Sequence, residues 1–426
     1  MHINEIAKLA GVEAEQPEQA VWLMLDRKPD KRDKAGNIIK EGTPWPKLLN
    51  ATKILQHDTR LKGKIKFNQF AFVVQVAGKD ITDEIESGVA IWMDKIYQID
   101  LPTRKVAEAI RWVASRPENT FHPVQQYLES LQWDGAPRLD EWLHRYLGAE
   151  HSPLNSELGR RWLISMVARA YKGSEPGGVK VDTCPVLQGP QGAHKSTALR
   201  ILAVKDQWFS DSSIDLRSKD AYQALPGCWL MEMSEMASIR PRDAQTVKQF
   251  LASQVDKYRP SFGRNMVSRP RGTVFCGTTN EIEWLSPDPS GHRRFWPIKV
   301  GVINLPELQR DVHQLWAESV VAFKKGERWW LEENGSRALE QAQEAHRQRD
   351  SWEDAIALWL ARTSADFTIH DVLKDAIGKE SENQTRSDCM RAAAILHGLG
   401  CRKLNRVRLN GRQVYPWTKG KPDEST

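Results

Sequence analysis

The chain has 426 residues, of which 40% are hydrophobic and 27% are charged, and its formal net charge is +6. This length accommodates two or three domains, and the composition is ordinary for a soluble globular protein. No apolar run approaches the roughly 18 residues of a membrane-spanning helix, and the N-terminus lacks a signal-peptide pattern. The five cysteines include no CxxC pair, which argues against a zinc module or a disulfide framework and favours a cytoplasmic location.

The first part of the chain predicts a fold but no chemistry. Residues 1–120 are expected to form a mixed α/β region, with a polar loop at 28–37 and a strand at 65–76. Their acidic residues are spread among loops without pairing. Residues 121–180 predict a helical collar or linker, in which His122 is interpreted as structural rather than catalytic.

A phosphate-loop pattern follows, with the sequence GPQGAHKST. It lies between an apolar stretch at 184–187, which predicts a strand, and residues 198–203, which predict a helix. Backbone N–H groups of such a loop and the positive end of the helix dipole bind an anionic triphosphate. Lys195 would reach the β- and γ-phosphates, and the Ser196 hydroxyl would ligate Mg²⁺. The predicted ATP-binding residues are Gly189, Gln191, Gly192, Ala193, His194, Lys195, Ser196 and Thr197.

One residue departs from the usual GxxxxGK(S/T) pattern. His194 stands at the position of the second glycine. Histidine is among the few residue types other than glycine that tolerate a positive φ. On its own, the pattern is also compatible with an ordinary loop followed by a helix.

Candidates for the other parts of an ATPase site follow the loop in a workable order. An ATPase needs a carboxylate for Mg²⁺ or water, a polar group that positions the water, and a cation for the γ-phosphate. Glu232 and Glu235 lie on an apolar strand, Asn280 ends a second one, and Arg293 and Arg294 stand beside bulky apolar residues. Each has an ordinary structural alternative, but together they favour a nucleotide site. The predicted metal ligands are Ser196, Glu232 and Glu235, and which acid is on the Mg²⁺ side is left open.

Residues 257–271 predict a basic hairpin. Cations interleaved with Tyr258 and Phe262 suit binding of single-stranded nucleic acid, although a hairpin that serves packing alone is the alternative. The candidate contacts are Lys257, Arg259 and Arg264.

The C-terminal part predicts a second DNA contact. Residues 305–350 are expected to form a helical connector, and 351–426 a winged-helix-like domain with a recognition helix at 384–396. Asn410-Gly411 fits a two-residue hairpin turn. Residues 386–412 contain seven Lys or Arg and one acid, although a solvated basic surface without a ligand would look the same. The candidate duplex contacts are Arg402, Lys403, Arg406 and Arg408.

The order GPQGxxKST, WLMEMSE, KYRPSFGR, TVFCGTTN, GHRRFWP resembles the virulence-associated protein E family. These phage- and genomic-island-encoded proteins are similar to superfamily 3 helicases with an AAA+ fold. The resemblance covers residues 60–300 and implies a three-layer α/β P-loop core at 181–304. It also implies an ATP-driven, hexameric ring in which Arg293 and Arg294 reach the neighbouring subunit's site. Ser234 stands where relatives often carry a second acid.

The sequence therefore predicts an ATP-dependent DNA helicase or translocase that acts in replication of a phage or mobile element. ATP and Mg²⁺ would be its cofactors, with single-stranded DNA in the ring channel, duplex DNA at the C-terminal domain and no membrane partner. The alternative is a DNA-binding replication initiator or regulator that uses ATP only as an assembly switch.

Overall fold

The computed structural model describes residues 16–419 in two compact units. Of these residues, unit 1 comprises 16–131 and 225–228, and unit 2 comprises 132–224 and 229–419. Within the described range, the exceptions are residues 174, 176, 213–214, 217, 237–240, 261–264, 286–291, 348–349 and 410–411. Only the backbone is described for residues 219, 241–244, 407–409 and 412–414.

Unit 1 combines helices with two small sheets. Strands β1 and β2 form an antiparallel ribbon, and a four-stranded sheet has the order β5-β4-β3-β6. The helices are α1 Gln19–Met24, α2 Leu48–His57, α3 Asp83–Tyr97, α4 Thr103–Ala114 and α5 Pro123–Glu129. The strands are β1 Lys31–Arg32, β2 Ile38–Lys40, β3 Ile65–Asn68, β4 Val73–Val76, β5 Lys79–Asp80 and β6 Thr120–Phe121.

The single strand predicted at 65–76 is wrong, because this segment is a hairpin. Strands β3 and β4 pair antiparallel, with Ile65 opposite Val76. The Asn68 side chain accepts hydrogen bonds from the backbone N–H groups of the residues two and three positions on, at 3.0 and 3.1 Å. Such a side-chain turn reverses the chain and competes with continuation of the strand.

The core of unit 1 lies between its helices and the four-stranded sheet, and it includes one buried carboxylate. Asp58 is fully buried and accepts hydrogen bonds from the Arg60 guanidinium and the Tyr97 hydroxyl. His122 is buried and caps α5, with its Nδ1 accepting from the Gln125 backbone N–H at 3.2 Å. Burial lowers the pKa of His122 to about 4, so the ring is neutral near pH 7. This capping role confirms the structural interpretation of His122.

Unit 2 is built on a five-stranded parallel sheet. Its order is β13-β7-β12-β9-β8, and every neighbouring pair is parallel. The core helices are α6 Trp142–Leu147, α7 Pro153–Lys172, α8 Lys195–Leu202, α9 Lys219–Gln223, α10 Pro241–Ala252, α11 Leu305–Lys324 and α12 Glu333–Glu344. The sheet strands are β7 Cys184–Gln188, β8 Phe209–Ser210, β9 Leu230–Met233, β12 Val274–Thr279 and β13 Phe295–Lys299. A separate antiparallel hairpin comprises β10 Val255–Tyr258 and β11 Val267–Pro270.

The sheet is covered on its faces, as parallel sheets require. Every residue of β7 and β12 is buried. The Trp229 indole, just before β9, donates to the Met166 carbonyl on α7, and the Trp316 indole on α11 donates to the Leu202 carbonyl on α8. The predicted α/β class is confirmed in the form of this sheet.

Residues 305–350, predicted as a helical connector, contain the helices α11 and α12. Helix α11 ends at Lys324, and α12 then packs against β13 rather than lying in solvent. Leu339 is buried, and the Gln343 side chain donates to the backbone carbonyls of His292 and Phe295. The highly charged composition of this stretch therefore concealed an apolar contact on one face of α12.

The C-terminal part of unit 2 has its own apolar cluster. Three helical segments precede two antiparallel strand pairs, β14 with β17 and β15 with β16. The cluster includes Ile356, Val372, Leu396 and Trp417. The helices are α13 Glu353–Arg362, α14 Ile369–Asp371 continued by a π-helical turn at Val372–Ala376, and α15 Arg386–Gly398. The strands are β14 Cys401–Lys403, β15 Val407–Leu409, β16 Arg412–Val414 and β17 Trp417–Lys419.

Helix α15 covers nearly the whole predicted recognition helix, starting and ending two residues later. The pairing of β15 with β16 places a hairpin at the predicted position, while its turn, Asn410-Gly411, lies outside the described residues. Over the part of the chain that the structure describes, no helix has the length and apolar character that crossing a bilayer requires.

Candidate functional site

The predicted strand–loop–helix arrangement is present at the carboxyl end of β7. The strand ends at Gln188, and α8 begins at Lys195, three residues earlier than predicted. Gly189 passes so close to Val300 that an added Cβ would lie 2.8 Å from its Cγ2 atom. His194 adopts a left-handed backbone conformation with φ 61°, the geometry for which a glycine is usually selected. The histidine therefore preserves the backbone path of the loop.

Lys195 occupies the centre of the loop. Its Nζ donates to the carbonyl oxygens of Gly189 at 2.7 Å and Pro190 at 2.9 Å, and to Asn280 Oδ1 at 3.0 Å. The residue is buried, with 8% of its surface exposed. Burial lowers the pKa of Lys195, and the nearby Glu232 carboxylate opposes this shift. An anionic group entering the loop would act in the same direction as Glu232 and favour the charged ammonium.

Glu232 is the buried acid of the site. It lies on β9 with 3% of its surface exposed, and its Oε1 accepts from Ser196 Oγ at 2.9 Å and Thr278 Oγ1 at 2.6 Å. Its Oε2 is also buried but accepts no hydrogen bond from any described residue. A buried carboxylate oxygen without a donor is costly unless another cation or donor completes it.

Thr278 is a site residue that the sequence analysis missed. Strands β9 and β12 are parallel with Glu232 opposite Cys276, so Thr278, two positions on, lies on the same face of the sheet. The threonine pair before Asn280 was the available signal, but its use required the strand register.

The orphaned Glu232 oxygen fits a divalent cation. Carboxylate and hydroxyl oxygens are suitable Mg²⁺ ligands, and Mg²⁺ commonly takes only one or two protein carboxylates beside water and phosphate. Ser196 and Glu232 supply such a pair. Glu235, by contrast, is exposed beyond the end of β9 and has φ 53°, an uncommon conformation for a residue other than glycine. The two acids therefore lie in different environments.

A polar cavity of about 330 Å³ joins these groups at the carboxyl ends of β7, β9 and β12. Open parallel sheets bind ligands outside the carboxyl ends of their strands. Except for Gly189, whose carbonyl bonds Lys195, all the predicted nucleotide-loop residues line it. The lining residues are Gln191, Gly192, Ala193, His194, Lys195, Ser196, Thr197, Glu232, Ser234, Glu235, Thr278, Thr279 and Asn280.

Arg293 and Arg294 lie at the amino ends of the parallel strands, opposite the end that carries the cavity. They precede β13, which runs parallel to β7 with Phe295 opposite Cys184, whereas the loop follows the far end of β7. The five residues of β7 separate the amino and carboxyl ends of the strand by about 15 Å. Both guanidinium groups approach the Asp182 carboxylate, at 3.5 and 3.4 Å. The structure therefore does not bring the arginine pair into the cavity of its own chain.

The basic hairpin β10–β11 is anchored at its base by a buried ion pair between Asp256 and Arg271. Lys257 is exposed on β10, and Arg259 is exposed just after it. Arg264 and Phe262 lie outside the described residues.

Tyr258 does not provide the exposed stacking surface that the interleaved pattern predicts. Only 5% of it is exposed, and its hydroxyl accepts from Arg269 at 3.0 Å. The alternation along β10 turns Tyr258 inward and Lys257 outward.

The predicted duplex contacts lie after α15, with Arg402 and Lys403 on β14, Arg406 between β14 and β15, and Arg408 on β15. Arg402, Lys403 and Arg406 are exposed. The Lys403 ammonium lies 4.2 Å from the centre of the Tyr415 ring. The backbone of Arg408 is on β15, and its side chain is outside the described part.

Fold and site together define an α/β protein with a polar cavity at the carboxyl ends of parallel strands. A sequence model of the virulence-associated protein E-like domain matches residues 128–348, just over half of the chain. The chain therefore belongs to this family, as its motif order predicted.

The solved structures that the chain is similar to include two of the NrS-1 C-terminal region in its A apo form, each with 13% sequence identity. Each match covers 69% of this chain and 78% of the other, with TM-scores of 0.40 and 0.36. None of the curated proteins compared with the chain matches it.

The left-handed conformation of His194 leads to a testable pair of substitutions. His194→Gly should leave the unfolding temperature unchanged or raise it, because glycine adopts φ 61° without a Cβ penalty. His194→Val should lower the free energy of unfolding by about 1–2 kcal/mol, because a β-branched residue tolerates this region poorly. Calorimetry of the ligand-free chain measures both, and equal stability of the two variants would contradict the assigned geometry.

Proposed function

We propose that this chain is an ATP-dependent DNA helicase or translocase that acts in replication of a phage or mobile element. The observation that carries the proposal is the placement of Lys195 and Glu232 on one polar cavity, with Asn280 bonded to the same lysine. A cation, an acid and a polar group at the ends of adjacent parallel strands are the parts that phosphoryl transfer from ATP requires.

Each side chain then has a role that follows from its environment. Lys195 exchanges its three oxygen acceptors for phosphate oxygens of ATP. Ser196 and Glu232 would hold Mg²⁺, which when bound would neutralise charge on the phosphates. Glu235, exposed at the cavity, accepts a proton from the attacking water, and Asn280 orients that water.

The position of the arginine pair supports action between subunits. Arg293 and Arg294 are separated from the loop of their own chain by the length of a strand, about 15 Å. They can therefore contact a nucleotide only at the loop of a second copy. In a closed ring of identical subunits, the arginine pair of each subunit would face the cavity of the next subunit. We therefore propose the AAA+ ring, a hexamer, that the family resemblance implies.

Two basic surfaces of unit 2 supply the proposed DNA contacts. Lys257 and Arg259 project from an anchored hairpin and contact single-stranded DNA in the ring channel, together with Arg264. Three helices followed by paired strands support a winged-helix assignment for the C-terminal part, which would bind duplex DNA. The proposed duplex contacts are Arg402, Lys403, Arg406 and Arg408.

A replication initiator that uses ATP only as an assembly switch would carry the same cavity. Strand displacement on a forked DNA substrate separates the two functions, because a switch assembles on DNA without unwinding it.

The roles in the cavity are separable by substitution. Lys195→Ala should reduce ATP turnover about 100-fold or more and weaken ATP binding, because the phosphates lose their nearest cation. Glu235→Gln should retain ATP binding and lose turnover. Glu232→Gln should instead raise the Mg²⁺ concentration needed for half-maximal ATP binding, leaving Mg²⁺-free binding near normal. Lys205→Ala, at an exposed lysine after α8, is the control.

Steady-state hydrolysis and calorimetric titration of ATP with and without Mg²⁺ measure these effects. Turnover that survives in both Lys195→Ala and Glu235→Gln would contradict the ATPase assignment. An unchanged Mg²⁺ requirement in Glu232→Gln would remove Glu232 from the metal side.

Mixing two inactive variants tests the action of the arginines across an interface. Lys195→Ala subunits retain the arginines, and Arg293→Ala/Arg294→Ala subunits retain the loop. In an equal random mixture, about a quarter of interfaces combine both intact parts, so partial ATPase should return. No recovery in rings shown by mass spectrometry to be mixed would indicate a site completed within one chain.

The two DNA surfaces should differ in what their loss affects. Neutralising Lys257, Arg259 and Arg264 should abolish unwinding and DNA-stimulated ATPase while much duplex affinity persists. Arg402→Ala/Lys403→Ala/Arg406→Ala should lower duplex affinity and its dependence on salt, because fewer counterions are released, and leave basal ATPase near normal. Full duplex affinity in the second variant, measured by fluorescence anisotropy, would contradict the winged-helix assignment.

A further inference from the structure

Unit 1 carries an exposed basic surface that the proposed ATPase does not use. Residues 27–47 contain seven Lys or Arg and three acids, an excess of four positive charges in a chain whose total excess is six. The segment includes the β1–β2 ribbon, in which every residue is exposed. We call residues 27–49, which add the first two residues of α2, the basic ribbon.

Two of the three acids of the basic ribbon shape its backbone, and the third, Glu41, pairs with Arg27 at 3.5 Å. Asp33 accepts from the backbone N–H groups of Ala35 and Asn37 at 2.9 and 2.8 Å, and closes the turn between β1 and β2. Asp30 accepts from the Gly42 N–H at 2.9 Å. These carboxylates are occupied by backbone donors rather than by the neighbouring lysines.

Three lysines of the ribbon, in contrast, are left for an external anion, whereas Lys47 pairs with Asp26 at 3.6 Å. Lys31, Lys34 and Lys40 form no ion pair with any residue that the structure describes. Lys31 lies directly opposite Lys40 in the ribbon register. Like charges in directly opposed positions destabilise a strand pair, and an isolated two-stranded ribbon is only marginally stable. A bound polyanion would remove this repulsion.

Apolar and aromatic side chains are interleaved with these cations. Ile38 and Ile39 are 49% and 69% exposed, and Trp45 is 41% exposed. The Trp45 ring has the ammonium groups of Lys28 and Lys47 at 5.5 and 5.9 Å from its centre. A duplex presents phosphates outward and keeps its base faces stacked, so it would not use this apolar surface. An unpaired strand offers both phosphates and free base faces.

We propose that the basic ribbon is a binding site for single-stranded DNA, with Lys31, Lys34 and Lys40 contacting phosphates and Trp45 stacking on a base. The site belongs to unit 1 and does not depend on ATP. It is therefore independent of the proposed ATPase, and either can fail without the other.

Fluorescence anisotropy of the full chain without nucleotide tests the cationic part of the proposal. The variant Lys31→Gln/Lys34→Gln/Lys40→Gln should raise the Kd for a labelled single strand at least tenfold at about 0.1 M salt. It should also reduce the slope of log K against log salt by about 2, because three phosphate contacts are lost. Its control removes the same charge from exposed lysines elsewhere in unit 1, and should change the Kd less than threefold. That control is Lys62→Gln/Lys66→Gln/Lys79→Gln.

The aromatic part separates single strands from duplex. Trp45→Ala should raise the Kd for the single strand fivefold or more and leave that for the matching duplex within twofold, while Trp45→Phe retains affinity. The control is Trp112→Ala, since Trp112 is 46% exposed and has Arg116 over its ring. All substituted side chains are exposed, so unfolding temperatures should match that of the parent chain.

Three results would overturn the proposal. First, the lysine variant could bind single strands with the same Kd as its control. The basic ribbon would then be a surface for a protein partner or a solvated surface without a ligand. Trp45→Ala could leave the single-strand Kd unchanged. Alternatively, Trp45→Ala could weaken duplex and single strand equally, which would make the ribbon a general phosphate contact.

Discussion

The buried carboxylate of Glu232 is the constraint on which the candidate site depends. Removing a charged carboxylate from water costs several kcal/mol unless donors or cations compensate. Here Ser196, at the start of α8, and Thr278, near the end of β12, both donate to one of its oxygens. Three segments distant in sequence must therefore meet at one point. The second oxygen has no described donor, and Glu232 lines the cavity, so a divalent cation bound there would satisfy that oxygen.

The parallel direction of the sheet decides which residues share this point. Strands β7, β9 and β12 all end at the cavity, so the loop, both acids and Asn280 converge there although they are spread along the chain. Because β13 runs in the same direction, the residues before it, including Arg293 and Arg294, lie at the amino ends of the strands. There the Asp182 carboxylate approaches both arginines. One topological fact thus joins most of the expected site and separates the arginine pair from it.

Local patterns predicted local structure well. The glycines and Lys195-Ser196 between an apolar stretch and a helix marked the loop, because the backbone path and phosphate chemistry both depend on near neighbours in sequence. Features that depend on how strands pair and pack could not be predicted from the sequence. Thr278 needed the β9–β12 register, and the inward orientation of Tyr258 needed the way the hairpin packs. The strand predicted at 65–76 failed because the side chain of Asn68 formed a turn.

In the proposed site, the loop after β7 binds a nucleoside triphosphate, with Lys195 on the phosphates and Glu232 on Mg²⁺. The most direct measurement is a structure of the chain determined with Mg²⁺ and a non-hydrolysable ATP analogue. The account predicts that the ammonium of Lys195 leaves the carbonyls of Gly189 and Pro190 for phosphate oxygens, and that Mg²⁺ lies between Ser196, Glu232 and the phosphates. Nucleotide bound elsewhere, or Lys195 still bonded to both carbonyls beside a bound nucleotide, would contradict it.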